Sequence, residues 1–398
     1  MHDGDPKGQV FLATPSDVTG ALIERHSSTG RLLTFSLLLF GSLLVVGIVG
    51  AIMRISGGFE DKSRWGYYAA VVSFLLTTAQ AAPMVAIAPR LVKAHWRRSI
   101  SRAAEIWGLI GVLNLLLFIP LLWVLPSLED GRRSLWFYSI GDVPRYSPHI
   151  WATAALSALV LLGAFLVWIS ALPDLAAVRD RSTGLRYALV RRLAWGWTGT
   201  SRQWYMQKHR LGILGAFYFM LLVFTHFLFA VDFGMTLVPG WIDALFPATQ
   251  AANSLQAGVA TVLLTMFFLR RFGGYGDTIG LDQFWGLGKL LFALSLLWFW
   301  FWFSSFIVMW YGKKPNEQMA LELLMVGPYL PWTMAIFILN FVTPLVTMIW
   351  NQFRKSIWGP TIIATSVLIG TLFDRMRIYV AAYSVPGIGD PTVDKHIL

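Results

Sequence analysis

Apolar residues occur along this chain in long continuous runs, near Leu32–Met53, Tyr67–Ala88, Ile106–Val124, Ile150–Leu172, Leu211–Val231, Ala251–Leu269, Trp285–Trp310, Pro331–Ile349 and Thr361–Ala381. Each is close to the roughly 20 mostly apolar residues that carry a helix across a bilayer. The runs are continuous rather than alternating, which excludes a transmembrane β-barrel. The pattern predicts an all-α polytopic membrane protein with about nine transmembrane helices, each pairing its backbone polar groups within itself.

Polar stretches divide the runs. Residues 1–30 read as a polar N-terminal arm with Pro6 and Pro15. They lack a short apolar core followed by a small-residue cleavage site, so the first run is expected to act as its own insertion signal. The stretch 173–210 is rich in arginine, and Leu185, Leu189, Leu193 and Trp197 recur in it every four residues. That spacing predicts a basic amphipathic helix on the membrane surface, placed where a chain would join two bundles.

A short internal likeness supports two bundles. Gln80-Ala81 in the second run is followed by Arg90, Lys93, Trp96, Arg97 and Arg98. Gln256-Ala257-Gly258 in the sixth is followed by Arg270 and Arg271. The expected organisation is a first four-helix bundle over 31–172, the connector 173–210 and a second four-helix bundle over 211–350. A final helix and tail follow over 351–398.

Composition sharpens this reading. Hydrophobic residues make up 56% and charged residues 13%. The net charge of +11 could suggest a nucleic-acid partner, but about two thirds of the 32 Lys and Arg fall in the N-terminus and alternate loops. That is the positive-inside pattern. It places the N-terminus in the cytoplasm and the C-terminus outside, and leaves lipid rather than nucleic acid as the partner of the charge. The chain has no cysteine, which excludes thiolate-bound iron–sulfur clusters, Cys-attached haem and disulfides.

Aromatic residues mark the interfaces: Trp65, Tyr67 and Tyr68, then Trp136, Phe137 and Tyr138, then Trp310 and Tyr311. The denser run Trp298–Trp302 is expected to face lipid or a neighbouring subunit. Of seven histidines, only His226 falls inside an apolar run; His2, His26, His95, His149, His209 and His396 read as loop, interface or terminus. A bis-histidine haem needs two at membrane depth, and no metal site is expected. Gly273-Gly274-Tyr275-Gly276 is a turn without the Lys-Ser/Thr of a phosphate loop.

Ionisable residues inside a span cost roughly 2.5–3.5 kcal/mol at mid-depth and are functional candidates by default. Here they are His226, Asp232, Asp374, Asp174 and Glu105, with Asn114, Gln80, Gln256 and Asn340 as neutral polar companions. Each also has a structural reading. Asp174 and Glu105 can be solvated or paired with loop arginines. Asp374 can pair with Arg375 or Arg377, Asp232 can cap the next segment, and His226 can make one interhelical hydrogen bond.

Two segments resemble a known family. One is Thr78-Ala-Gln-Ala-Ala-Pro-Met-Val-Ala-Ile-Ala-Pro-Arg-Leu with Lys93-Ala-His-Trp-Arg-Arg-Ser and Arg102-Ala-Ala-Glu105. The other is Val231-Asp-Phe-Gly-Met-Thr-Leu-Val-Pro-Gly-Trp241, running through Leu245-Phe-Pro to Gln256-Ala-Gly and Arg270-Arg271. Trp310-Tyr-Gly-Lys-Lys-Pro-Asn-Glu317 adds to them. Together they resemble the NrfD/PsrC-like membrane subunits of quinone-linked complexes, and among these the ActC and ActF pair of bacterial alternative complex III. The likeness covers most of the chain from about residue 30.

The resemblance implies two four-helix bundles, an ActC-like membrane partner, an iron–sulfur subunit and multihaem cytochrome c subunits. Haem c and iron–sulfur clusters would lie in those partners and none in this chain. The quinol-binding member of the pair has a histidine where this chain has Gln80. A glutamine can hydrogen-bond a quinol but cannot take its proton near neutral pH. The resemblance therefore favours the ActF-like role: a membrane subunit of a quinol:electron-acceptor oxidoreductase, not catalytic by itself. It would stabilise the assembly and offer a proton route through Asp174, Glu105 and Asn114 on the cytoplasmic side and His226, Asp232 and Asp374 on the outer side.

Two other functions fit the sequence. The chain could bind quinol directly, with Gln80, His226 and Asp232 as contacts. It could also be a stand-alone secondary transporter, with helix breaks at Pro83, Pro89 and Pro344.

Overall fold

In the computed structural model, the structure describes residues 31–126, 149–181, 183–238, 240–276 and 278–385. The expected arm 1–30, the aromatic triplet Trp136, Phe137 and Tyr138, and the tail after 385 lie outside the described residues, with His2, His26 and His396. So do the side chains of His95, Leu185 and Arg186. Every regular element among the described residues is helical.

Seven described helices are long and apolar enough to cross a membrane. They are α1 (Arg31–Ser56), α4 (Ser101–Trp123), α5 (His149–Arg179), α7 (Ser201–Asp232), α8 (Phe246–Phe272), α9 (Leu281–Gly312) and α11 (Leu330–Met348). The other two expected spans differ for physical reasons. The run Tyr67–Ala88 is split into α2 (Gly66–Thr78) and α3 (Met84–Leu91) by a turn that ends at Pro83. Proline has no N–H to continue the ladder. The last run is one helix of 27 residues, α13 (Trp358–Ser384), made less apolar by Asp374, Arg375 and Arg377.

Two compact units emerge. One comprises residues up to 58 together with 173–197. Within it α1 buries none of its apolar window. Its connector part contains a helix, α6 (Gly184–Leu193), where Tyr187, Leu189 and Leu193 are exposed alongside Arg191 and Arg192, and the expected periodicity stops before the buried Trp197.

The other unit, 59–172 with 198–398, holds the core. One group of helices is α2–α3, α4, the part of α5 up to 172, and α7. They are tied by Asn114 to Gln80, Tyr218 to Gln80 and Gln207 to Ile169. The second group is α8, α9, α11 and α13, tied by Gln256 to Ser295 and Asn340, and by Ser366 to Leu339. The groups pack directly. A Cβ on Gly66 of α2 would meet the Val380 Cα of α13 at 2.8 Å. Helices also pack across the two groups: α7 lies against α8 as well as α3, and α13 lies against both α2 and α8.

Candidate functional site

The two Gln-Ala segments lie at the centre of the core. Around the turn before Pro83, the amides of both Ala79 and Gln80 bond to the Leu75 carbonyl, and Met84 bonds to Ala81. The Gln80 carbonyl is therefore free to accept the Tyr218 hydroxyl at 2.6 Å, while Gln80 Oε1 accepts from Asn114 Nδ2 at 2.7 Å. The second segment shows a related device. Residues Ile338–Val342 form a π turn, and Pro344 cannot donate to the carbonyl four residues back. That Asn340 carbonyl accepts from Gln256 Nε2 at 2.9 Å, which also donates to Ser295 Oγ at 2.9 Å. Gln80, Asn114, Gln256 and Asn340 are all at most 1% exposed.

Towards the C-terminal end of α13 the polar chain continues as an ionic network. Asp374 accepts from Arg377 at 2.8 Å and lies 3.9 Å from Arg375. Arg375 donates to Asn253 Oδ1 at 2.5 Å, and Asn253 Nδ2 reaches Gln256 Oε1 and Thr371 Oγ1. Arg377 also donates to the Leu324 carbonyl. All three ionised groups are buried, so their charges are compensated locally or not at all.

A narrow cavity borders this network, lined by Trp241, Asp243, Gln250, Trp298, Asp374 and Arg377 among others. It has room for about one or two waters. Asp243 accepts the Leu245 and Phe246 amides and the Ser305 hydroxyl, capping the start of α8. Trp298 turns inward to this cavity and is 1% exposed, whereas Trp300 is 66% exposed. The expectation that the whole run Trp298–Trp302 faces lipid or a neighbour is corrected to that extent, because alternate helical positions point opposite ways.

His226 is buried on α7, and its Nδ1 lies 2.8 Å from the Leu222 carbonyl. A carbonyl only accepts, so Nδ1 carries the hydrogen and Nε2 a lone pair. That Nε2 is buried and meets no protein donor, while Arg375 is within electrostatic reach. Asp232 is fully buried at the end of the same helix.

At the opposite, arginine-rich end, Glu105 is fully buried. It takes Arg90 at 2.6 Å, Arg102 at 3.1 Å and the Ser170 hydroxyl. Arg102 also reaches the Ser170 carbonyl at 2.7 Å. In the loop beside it, burial and the Arg90 and Arg98 charges hold the Arg97 guanidinium below its ordinary range, with Glu105 opposing. Asp174 is exposed, on the part of α5 that follows Pro173.

Most of the predicted residues thus fall into a central pair of glutamines, an ionic network towards the C-terminal end of α13 and a cluster at Glu105 at the opposite end, with His226, Asp232 and Asp174 outside them. Asp243, Gln250, Asn253, Ser170 and Tyr218 were not singled out from sequence. Two had a local signal: Asp243 stands four residues before Pro247 at a helix start, and Asn253 shares a helical face with Gln256 at a spacing of three. Ser170 and Tyr218 had none, because a hydroxyl in an apolar run looks the same whether or not it meets a partner. No protein-family model and no curated protein matches this chain.

Proposed function

We propose that this chain is an ActF-like membrane subunit of a bacterial quinol:electron-acceptor oxidoreductase of the alternative complex III type. It sits in the cell membrane with the N-terminus cytoplasmic and the C-terminus outside. It crosses about nine times, counting the split α2–α3 and the charged α13 as spans. The observation that carries the reading is the juxtaposition of the Gln80-Ala81 and Gln256-Ala257-Gly258 segments, each turned into a polar centre by a proline-linked break in its own group of helices. Paired groups of this kind are what the resemblance implies. In this role the chain binds no redox centre. Haem c and iron–sulfur clusters belong to an iron–sulfur subunit, multihaem cytochrome c subunits and the assembly around an ActC-like partner.

The polar residues supply the framework for a proton route. Arg375, Asn253, Gln256 and the Asn340 carbonyl form a hydrogen-bonded ladder through the second group, with Asp374 3.9 Å from Arg375 at its end. Moving a proton along it needs hydrogen-bond spacing, which every link but that last one has, so a water must bridge the step to Asp374. The stand-alone transporter reading draws on the break at 79–83 and the π turns at Glu322–Val326 and Ile338–Val342.

Solubilisation of the native membrane in mild detergent, capture on this chain and a haem spectrum separate these readings. The proposal expects c-type haem and iron–sulfur subunits in the captured material. Capture of a haem-free chain that drives solute uptake in vesicles would replace it with the transporter.

A further inference from the structure

At the arginine-rich end of the second group, two ammonium groups converge on one indole. Lys289 Nζ lies 4.0 Å and Lys355 Nζ 4.8 Å from the Trp285 ring centroid. Trp285 and Lys289 share a face of α9 because they are four residues apart. Lys355 and Arg354 arrive from the short turn before α13. Among the described residues none of Lys289, Arg354 and Lys355 has a carboxylate partner. Two further donors there, Trp285 Nε1 and Arg354 Nε, are buried and meet no acceptor.

Like charges brought together at a bilayer surface repel unless an anion joins them. An indole face attracts cations but cannot cancel their charge. Just beyond the lysines, Trp350, Phe353 and Trp358 are each more than half exposed, as a lipid-facing belt would be. The charge calls for a phosphate, and the apolar belt calls for a phosphate attached to acyl chains. We propose that Trp285, Lys289, Arg354 and Lys355 bind the phosphate of an anionic phospholipid. The lysines provide the charge, the indole N–H and guanidinium the oriented donors, and the belt the surface for its tails. This site needs only a bilayer around the protein and does not depend on the identity of the redox partners.

The test uses the full chain in nanodiscs of phosphatidylcholine with and without phosphatidylglycerol. Retained lipid is counted by mass spectrometry after detergent exchange, and the two lysines are probed by amine acetylation. Phosphatidylglycerol should remain bound and protect both lysines. Lys289→Gln with Lys355→Gln should lower its retention about thirtyfold, the equivalent of about 1 kcal/mol per lysine, with phosphatidylcholine retention unchanged. Trp285→Phe, which keeps the ring and removes the N–H, should lower it less. Equal retention by wild type and the double variant overturns the proposal. So does protection by inorganic phosphate in pure phosphatidylcholine discs as strong as that by phosphatidylglycerol, since the site would then serve free phosphate. The protection measurement on wild type decides the matter even if the double variant does not fold.

Discussion

A Cβ placed on Gly258 would lie 2.8 Å from both the carbonyl carbon and the oxygen of Ala81, so α8 and the broken second span meet backbone to backbone. Small residues permit such approaches in membrane bundles, where van der Waals packing rather than water exclusion holds helices together. The obstacle is backbone, not the flexible end of a side chain. Gly258→Ala should therefore cost about 1–3 kcal/mol through overpacking. Gly212→Ala in α7, where nothing lies within 4 Å, should be neutral or stabilise by a few tenths of a kcal/mol. Thermal unfolding of the two variants in the same detergent compares them directly. Equal melting temperatures would remove the close contact from the account.

The Asp374 carboxylate is the only acidic partner recorded for Arg375 and Arg377 among the described residues. Removing it leaves two buried guanidinium groups facing each other. Asp374→Ala should destabilise by about 3–5 kcal/mol, and Asp374→Leu combined with Arg377→Met by less, because the pair leaves together. Yields of folded protein and unfolding midpoints of the single and double variants test this. A double variant worse than the single would mean that Arg377 acts chiefly through the Leu324 carbonyl.

The cluster at the other end should show graded sensitivity. Glu105→Ala strands Arg90 and Arg102 and should cost about 3 kcal/mol, while Ser170→Ala removes one hydroxyl from a carboxylate that keeps both arginines and should cost about 1–2 kcal/mol. A double-mutant cycle on Glu105 and Ser170 measures their coupling. Additive losses would show that the hydroxyl works independently of the carboxylate.

Much of the fold follows from apolar runs that are long and uninterrupted, and α8, α9 and α5 lie where those runs predict them. The break at 79–83 was signalled by Pro83, but its consequence was not. Whether a proline ends a span or turns a carbonyl towards a neighbour depends on what sits opposite, here Tyr218. Which helices touch was beyond reach for the same reason. Gly66 and Val380 are far apart in sequence, and nothing in either segment names the other. The charges of α13 were visible as Asp374, Arg375 and Arg377, and the local spacing of three between Asp374 and Arg377 anticipated their pairing. Asn253, which links that pair to Gln256, became legible only once α8 and α13 lay side by side.

His226 permits a clean separation of structure from chemistry. Its one hydrogen bond goes to a carbonyl within its own helix, and its buried Nε2 lone pair meets no protein donor. Replacing it with an apolar ring of similar size removes a bond worth about 1 kcal/mol and relieves an unsatisfied buried acceptor, so His226→Phe should change stability by less than about 1 kcal/mol. If the imidazole handles protons, the lone pair at Nε2 is the group that does so, and phenylalanine abolishes it. In the intact complex reconstituted into vesicles, His226→Phe should then lower the protons released per quinol oxidised while haem content and assembly stay as in wild type. His226→Gln, which retains a hydrogen-bonding amide but cannot titrate in this range, should behave like the phenylalanine variant. An unchanged proton yield in both would leave His226 with a packing role, and the outer half of the route would have to run through Asp232 and Asp374.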